Sequence, residues 1–259
     1  MAVCGGARRR GRCRSPKGGE MAEQARVKFR LEEKVAVIEL DDGKANALSP
    51  DLIREVHEAL DRSEREASAT LVVGREGRFS AGFDLSLMTA SAESARDLVT
   101  RGAELILRLY VHPQPVVIAC TGHALAAGAL LLLAADYRVG AQGPFKIGLN
   151  EVAIGLRLPV FAVELARDRI SKRHLTRATV LGHIYDPSGA VDAGFLDELA
   201  DPAHVAERAL ERARALSELP LGAHRTTKRL LRGAMVESVR AGLAADMADM
   251  GTPTNVPKR

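Results

Sequence analysis

The segment Arg78-Phe79-Ser80-Ala81-Gly82-Phe83-Asp84-Leu85 follows a short apolar run, residues 70–73, that reads as a buried strand. A second segment, Thr121-Gly122-His123-Ala124-Leu125-Ala126-Ala127-Gly128, follows another such strand, Val116–Cys120. Both are loops at strand ends, and their small residues let backbone approach backbone. Both can present free N–H groups, the second at the start of an Ala/Leu-rich helix beginning near Ala126. A helix start carries unpaired amides and a partial positive charge. Two amides converging on one point stabilise charge developing on a carbonyl oxygen. A third segment, residues 147–156, sets the carboxylate of Glu151 among apolar residues. Desolvation there raises its pKa toward acid–base range.

Outward from these segments, Val35–Leu40 reads as a strand and 41–44 as a polar turn. Ser49 caps a helix with Pro50 in its first position, and Leu52, Ile53, Val56 and Leu60 recur at helical spacing. Residues 74–82 read as a glycine-bearing loop. Residues 94–110 form a helix stopped by His112-Pro113-Gln114-Pro115, and 136–139 a short strand. Beyond Leu158 the pattern is helical, over 159–169, 171–181, 188–193, 202–216, 222–232 and 237–250. Strands alternate with helices and helices alone follow. The class is α/β, but a plain doubly wound sheet does not predict that helical tail.

The 259 residues are 46% hydrophobic and 27% charged, which excludes a wholly disordered or collagen-like chain and allows one large domain or two small ones. Trp is absent and aromatics are 3%, so the core is aliphatic and a base-stacking nucleic-acid platform is disfavoured. The net charge of +4 has a local origin. Arg8, Arg9, Arg10, Arg12, Arg14 and Lys17 face only Glu20, giving +5 in residues 1–20 and −1 in the remainder. That basic segment has no apolar run of the kind a secretory signal needs. It reads as disordered, or as preceding a true start at Met21. No apolar stretch reaches the ~18 residues that span a membrane. Cys4 and Cys13 lie in the basic segment, leaving Cys120 alone in the body, with neither a disulfide framework nor metal spacing. The expected compartment is the reducing cytoplasm. The histidines show no paired spacing for a metal.

In order and spacing, Lys44-Ala45-Asn46-Ala47-Leu48, Phe79-Ser80-Ala81-Gly82-Phe83-Asp84-Leu85, the turn at 122–128 and Asn150-Glu151-Val152 with Gly155 resemble the crotonase (enoyl-CoA hydratase/isomerase) superfamily. The resemblance runs from about Val27 to the C-terminus. It implies a crotonase-like spiral of ββα turns over 21–200 and a helical C-terminal region, 201–259, that helps form a homotrimer or a dimer of trimers. It implies an acyl-CoA thioester substrate whose oxygen sits between the backbone amides of Phe83 and Ala127, with Glu151 as the catalytic carboxylate. Coenzyme A arrives as part of the substrate; no other cofactor, metal, nucleic acid or membrane is implied. Ala45, Ala81, Asp84 and Leu85 fall in substrate-binding segments. Lys44 and Lys228 are candidates to meet the phosphates.

Three positions depart from the family pattern. Ala127 stands where glycine is usual, Ser86 replaces a lysine after the first loop, and Leu130 stands where hydratases carry a second carboxylate. Adding water across a double bond commonly uses two carboxylates, whereas moving the bond needs one base. The resemblance therefore favours Δ3,Δ2-enoyl-CoA isomerase chemistry, with enoyl-CoA hydratase kept beside it. Ordinary roles compete at each residue. Carboxylates are mostly solvated, Asp84 reads as an acceptor holding its loop, His123 as a packed histidine, and Lys44 and Lys228 as surface cations. Arg157 stands close by without a role. Two alternatives stand against an enzyme. One is a non-catalytic acyl-CoA binder, motivated by Leu130 and the bulk of Ala126-Ala127. The other is a basic nucleic-acid module resting on the arginine segment alone.

Overall fold

The computed structural model describes residues 25–249, with Met1 and Ala2. The basic segment with its two cysteines, Met21 and the expected helix end at Met250 lie outside the described residues. β1 (Val27–Glu32) and β2 (Val35–Leu40) form an antiparallel hairpin with Val27 opposite Leu40. α1 (Pro50–Glu66) starts where its cap predicts: the Leu52 N–H donates to Ser49 Oγ at 3.2 Å. Leu52, Ile53, Val56 and Leu60 face inward. β3 (Ala69–Val73) then pairs with β2 in parallel.

From β3 the chain winds in repeating turns. β4 (Gly77–Ser80) leaves the first sheet, and α2 (Leu85–Ala90) and α3 (Ala92–Tyr110) lead to β5 (Val116–Cys120) beside β3. β6 (Gly122–Leu125) pairs with β4, and α4 (Ala127–Ala134) leads to β7 (Tyr137–Ala141) beside β5. β8 (Ile147–Gly148) pairs with β6. A 3-10 turn, Val152–Ile154, and helices α5 (Val160–Arg169), α6 (Lys172–Thr179) and α7 (Pro187–Ala193) follow. β9 (Glu198–Ala200) joins β7, and α8 (Val205–Ser217) and α9 (Leu221–Ala248) complete the described chain. Successive turns thus feed one sheet ordered β1-β2-β3-β5-β7-β9 and a second ordered β4-β6-β8. This is the crotonase spiral of ββα turns with its helical C-terminal region.

The larger sheet is covered on both faces, which explains why β3 and β5 are buried at every residue. On one face Val37, Leu71 and Val117 pack with Val205, Ala209 and Ala213 of α8. On the other, Ile38, Val72 and Ile118 pack with apolar residues of α1, α3 and α4.

Two differences from the sequence reading have physical causes. β4 and β6 lie inside stretches read as loops, because four-residue strands built around small residues are too short for alternation to show. The helices expected at 222–232 and 237–250 are one helix, α9. A glycine inside a helix costs about 1 kcal/mol relative to alanine. Burial of Val236, Val239, Leu243 and Met247 beyond Gly233 outweighs it.

α9 also corrects the role expected of Lys228. The residue is only 6% exposed. Its ammonium group donates to His112 O (2.9 Å), Gln114 O (3.1 Å) and Asp136 Oδ2 (2.5 Å), which engages all three protons. Arg232, one turn on, donates to Asp136 Oδ1 at 2.9 Å, and Asp136 Oδ2 also accepts from Val116 N–H. Lys228 holds α9 to the start of β5 and has no proton left for a phosphate. Replacing Asp136 with Asn leaves two buried cations without their anion, which is expected to cost about 3–5 kcal/mol in urea unfolding. A loss below about 1 kcal/mol, the scale of a surface pair, would show that the apolar face of α9 suffices.

Candidate active site

The stretch 44–48 fixes the first loop. Asn46 donates through Nδ2 to Leu40 O (2.9 Å) and Phe79 O (3.1 Å), and Ser80 Oγ donates to Asn46 O at 2.7 Å. Leu48 then pairs with Phe83: Leu48 N–H donates to Gly82 O (2.8 Å) and Asp84 N–H to Leu48 O (3.2 Å). This bridge engages the groups on either side of the Phe83 amide and leaves that N–H without an acceptor among the described residues. The Phe83 ring lies over α3 at Gly102, where a Cβ would fall 2.2 Å from Phe83 Cε1.

The second loop ends as α4 begins. Ala126 N–H donates to Gly148 O (3.0 Å), and Ala126 O accepts from Ala129 N–H and Leu130 N–H. Ala127 therefore lies in the first turn, and its N–H has no acceptor among the described residues. The two loops are pressed together. A Cβ on Gly128 would lie 2.4 Å from Ser80 O, and one on Gly82 would lie 3.3 Å from Ala127 N. Only bare backbone fits at both crossings, so the loops bearing the two unpaired amides abut.

Beside them lies a cavity of about 280 Å³. Its walls include Leu85, Met88, Val99, Leu130 and Phe161, with Glu151 among them. Glu151 is 8% exposed and is the one carboxylate among the described lining residues. Its Oε2 has no hydrogen-bond partner among the described residues. Burial pushes its carboxyl up from an ordinary 4.5 to about 7, with its own backbone N–H pulling part of the way back. The turn that carries it is closed by hydrogen bonds: Glu151 O accepts from Ile154 N–H (3.0 Å) and Leu156 N–H (2.9 Å).

Of the residues singled out from sequence, Ala81, Phe83, Leu85 and Glu151 line this cavity. Ala127 follows the lining residue Ala126 but is itself fully buried and not among the lining residues. Asp84 caps α2, its Oδ1 accepting from Ser86 N–H and Ser86 Oγ, which is a loop-holding role. Ala45 O accepts from Ala81 N–H, so the 44–48 stretch borders the first loop, with Lys44 exposed beside it. His123 is a packed histidine, its Nδ1 accepting from Lys146 N–H and its ring edge-on to Phe145. Lys228 is elsewhere. Sequence reasoning left Arg157 without a role and missed Asn150, Ala126 and Phe161 as wall residues. Arg157 is held by Asp246 of α9 through Oδ1 (2.7 Å) and O (2.5 Å). That pairing spans 89 residues and leaves no local pattern to read. Among the described residues no group of three or more His, Cys, Asp or Glu could hold a metal ion, and no helix is long and apolar enough to cross a membrane.

The spiral, with the loops of two unpaired amides abutting beside an apolar cavity whose described lining holds one buried carboxylate, defines a protein of the crotonase class. The chain belongs to the enoyl-CoA hydratase/isomerase family, whose sequence model matches residues 30–257. Among solved structures it is similar to an enoyl-CoA hydratase/isomerase family protein from Pseudomonas syringae, with 41% identity, a TM-score of 0.86 and coverage of 89% of this chain and 100% of that one. It is also similar to an enoyl-CoA hydratase from Mycobacterium marinum, with 38% identity, a TM-score of 0.82 and coverage of 87% and 100%. The human mitochondrial enoyl-CoA delta isomerase 1 is 30% identical over 218 residues, which is 82% of this chain and 72% of that protein.

A carboxyl whose pKa is raised by folding binds its proton more tightly in the folded state. Between pH 4.5 and 7 the folded chain therefore holds more protons at Glu151 than the unfolded one, and stability falls as pH rises. Glu151→Gln removes that loss. The variant is expected to exceed wild type in stability by roughly 3 kcal/mol above pH 7, from about 1.4 kcal/mol per pKa unit. The gap closes toward pH 4.5, as urea unfolding at a series of pH values would read. A gap independent of pH would contradict the raised pKa.

Proposed function

We propose that this chain is an acyl-CoA-binding enzyme that isomerises 3-enoyl-CoA to 2-enoyl-CoA, with Glu151 as its proton carrier. The observation that carries this reading is the single carboxylate among the described residues of the cavity wall, with Leu130 at the position where the family's hydratases bring a second. In this reading the thioester oxygen accepts hydrogen bonds from Phe83 N–H and Ala127 N–H. Glu151 removes a proton from C2, and the electron pair delocalises through C1 onto that oxygen and over C3–C4 as a dienolate. The two amides hold this charge in a site shielded from water, where such donors count most. Glu151 then returns the proton at C4, which leaves the double bond between C2 and C3. No atom is gained or lost, and one group serves as base and then acid. A pKa near 7 suits both halves of that cycle.

Lys44, exposed beside the first loop, is the cation this reading sets toward the coenzyme A phosphates. A homotrimer or dimer of trimers is the assembly it expects, with the exposed apolar side chains of Val180, Leu181, Leu230 and Leu231 as surface to cover. Hydration is the second reading, favoured by the Mycobacterium marinum relative that carries the hydratase name.

The test follows the ultraviolet band of the conjugated 2-enoyl thioester as it forms from a 3-enoyl-CoA. Wild type is expected to produce it, and Glu151→Gln to lose at least a hundredfold in kcat, the low end for a general acid–base group. Because the base must be ionised, kcat/KM should fall about tenfold per pH unit below about 7. Full turnover in the Gln variant would remove Glu151 from the reaction. Wild type silent on 3-enoyl-CoA but consuming 2-enoyl-CoA would make hydration the activity. Silence on both, with acyl-CoA bound, would make the chain a binder.

A further inference from the structure

Among the described residues three non-glycine positions have positive φ: Glu33 (+55°), Asn46 (+49°) and Ala126 (+51°). Glu33 lies in the exposed turn between β1 and β2. Asn46 is of a type that tolerates this region, and its side chain is hydrogen-bonded to Leu40 O, Phe79 O and Asp42 N–H. Ala126 has neither circumstance in its favour. Its ψ of −124° takes it out of the left-handed helical basin, and its side chain can make no compensating bond. The bond from its N–H to Gly148 O and those from Ala129 and Leu130 to its carbonyl hold it there from both sides. Glycine would adopt the same backbone without a steric penalty. A side chain retained in a strained conformation at a site wall points to a use for that side chain.

We propose that Ala126 is a positioning residue whose methyl group sets the spacing between the Phe83 and Ala127 amides. The inference rests on the reading of those amides as the oxyanion hole. Gly82 immediately precedes Phe83, and Ala126 immediately precedes Ala127. A Cβ on Gly82 would lie 2.9 Å from the Ala126 methyl, so the bare Gly82 Cα rests against that methyl. The residues before the two donors are therefore in contact, one through its missing side chain and the other through its single carbon. Ala126 also lines the cavity. With the methyl gone, either loop can shift by a fraction of an ångström. Donors must stand about 2.7–3.1 Å from the developing oxyanion, so such a shift weakens them in the transition state more than in substrate binding.

The test compares full-length wild type, Ala126→Gly and Ala126→Ser by thermal unfolding, by steady-state isomerisation of a 3-enoyl-CoA, and by the infrared carbonyl band of bound hexanoyl-CoA. Glycine relieves the strain and should raise Tm by about 2–4 °C, the shift for roughly 1 kcal/mol at this size. It should lower kcat about tenfold with KM little changed, a smaller loss than the hundredfold or more of deleting a donor outright. The downshift of the thioester carbonyl band expected in wild type should shrink in the glycine variant. Serine keeps the Cβ and should restore kcat and downshift. A glycine variant with wild-type kcat and the full downshift overturns the inference, as does a serine variant as slow as the glycine one. Wild type showing neither turnover nor downshift would instead bring down the oxyanion reading, and this inference with it.

Discussion

Successive turns of the spiral meet backbone to backbone at the end of β4 and the start of α4. The Ser80 carbonyl occupies the space a side chain at 128 would need, and Gly82 closes on the turn at 126–127 in the same way. Much of the site depends on this crossing. It carries the start of α4 against the first loop, and so brings an unpaired helix-start amide beside the unpaired amide of Phe83. It also fixes the parallel pairing of β4 with β6, whose far neighbour β8 leads directly into the turn that holds Glu151. The two amides and the carboxylate are thus positioned by one small sheet rather than by three independent loops. Sites on such elements are held more closely than sites on free loops.

The electrostatics depend on what is kept away from Glu151. A carboxylate in an apolar wall keeps a high pKa only while no cation neutralises it. The cation among the described lining residues is engaged elsewhere. Arg157, at the edge of the same cavity, is bound to Asp246, which also accepts from Val160 N–H at 2.7 Å and so joins α9 to the start of α5. Lys228 and Arg232, near the other end of α9, share Asp136. α9 therefore has two roles: its buried cations hold the helix to the spiral, and Asp246 near its end restrains Arg157 in the cavity wall.

Sequence legibility followed the range of the interactions. α1 was legible to its first residue, because the Ser49 cap, Pro50 and the apolar spacing act within a few residues. β5 was legible as a continuous apolar run, since a strand covered on both faces must be one. The order of the site segments, and Glu151 within an apolar setting, were legible for the same local reason. What failed was set at long range. Lys228 reads as a surface cation until Asp136, 92 residues away, is placed beside it. β4 and β6 become strands only by pairing with each other, and α9 runs through Gly233 because its far half has a core to join. The cavity wall at Phe161 comes from a helix whose sequence gives no sign of facing a substrate.

The places where local preference is overruled are not scattered evenly. Glu33 takes its unfavourable φ in solvent, where a turn demands it, and Asn46 has its side-chain hydrogen bonds to compensate. Glu151 and Ala126 have no such compensation, and both stand in the wall of one cavity. One is a carboxyl denied a counter-ion, the other an alanine in a backbone conformation suited to glycine. A fold selected for stability alone would exchange the first for an apolar residue and the second for glycine, and would lose nothing in its two sheets by doing so. Their coincidence in the wall of one cavity is what a site whose geometry is held against the local energy of its residues would show, and it is the physical ground on which the proposed reading stands.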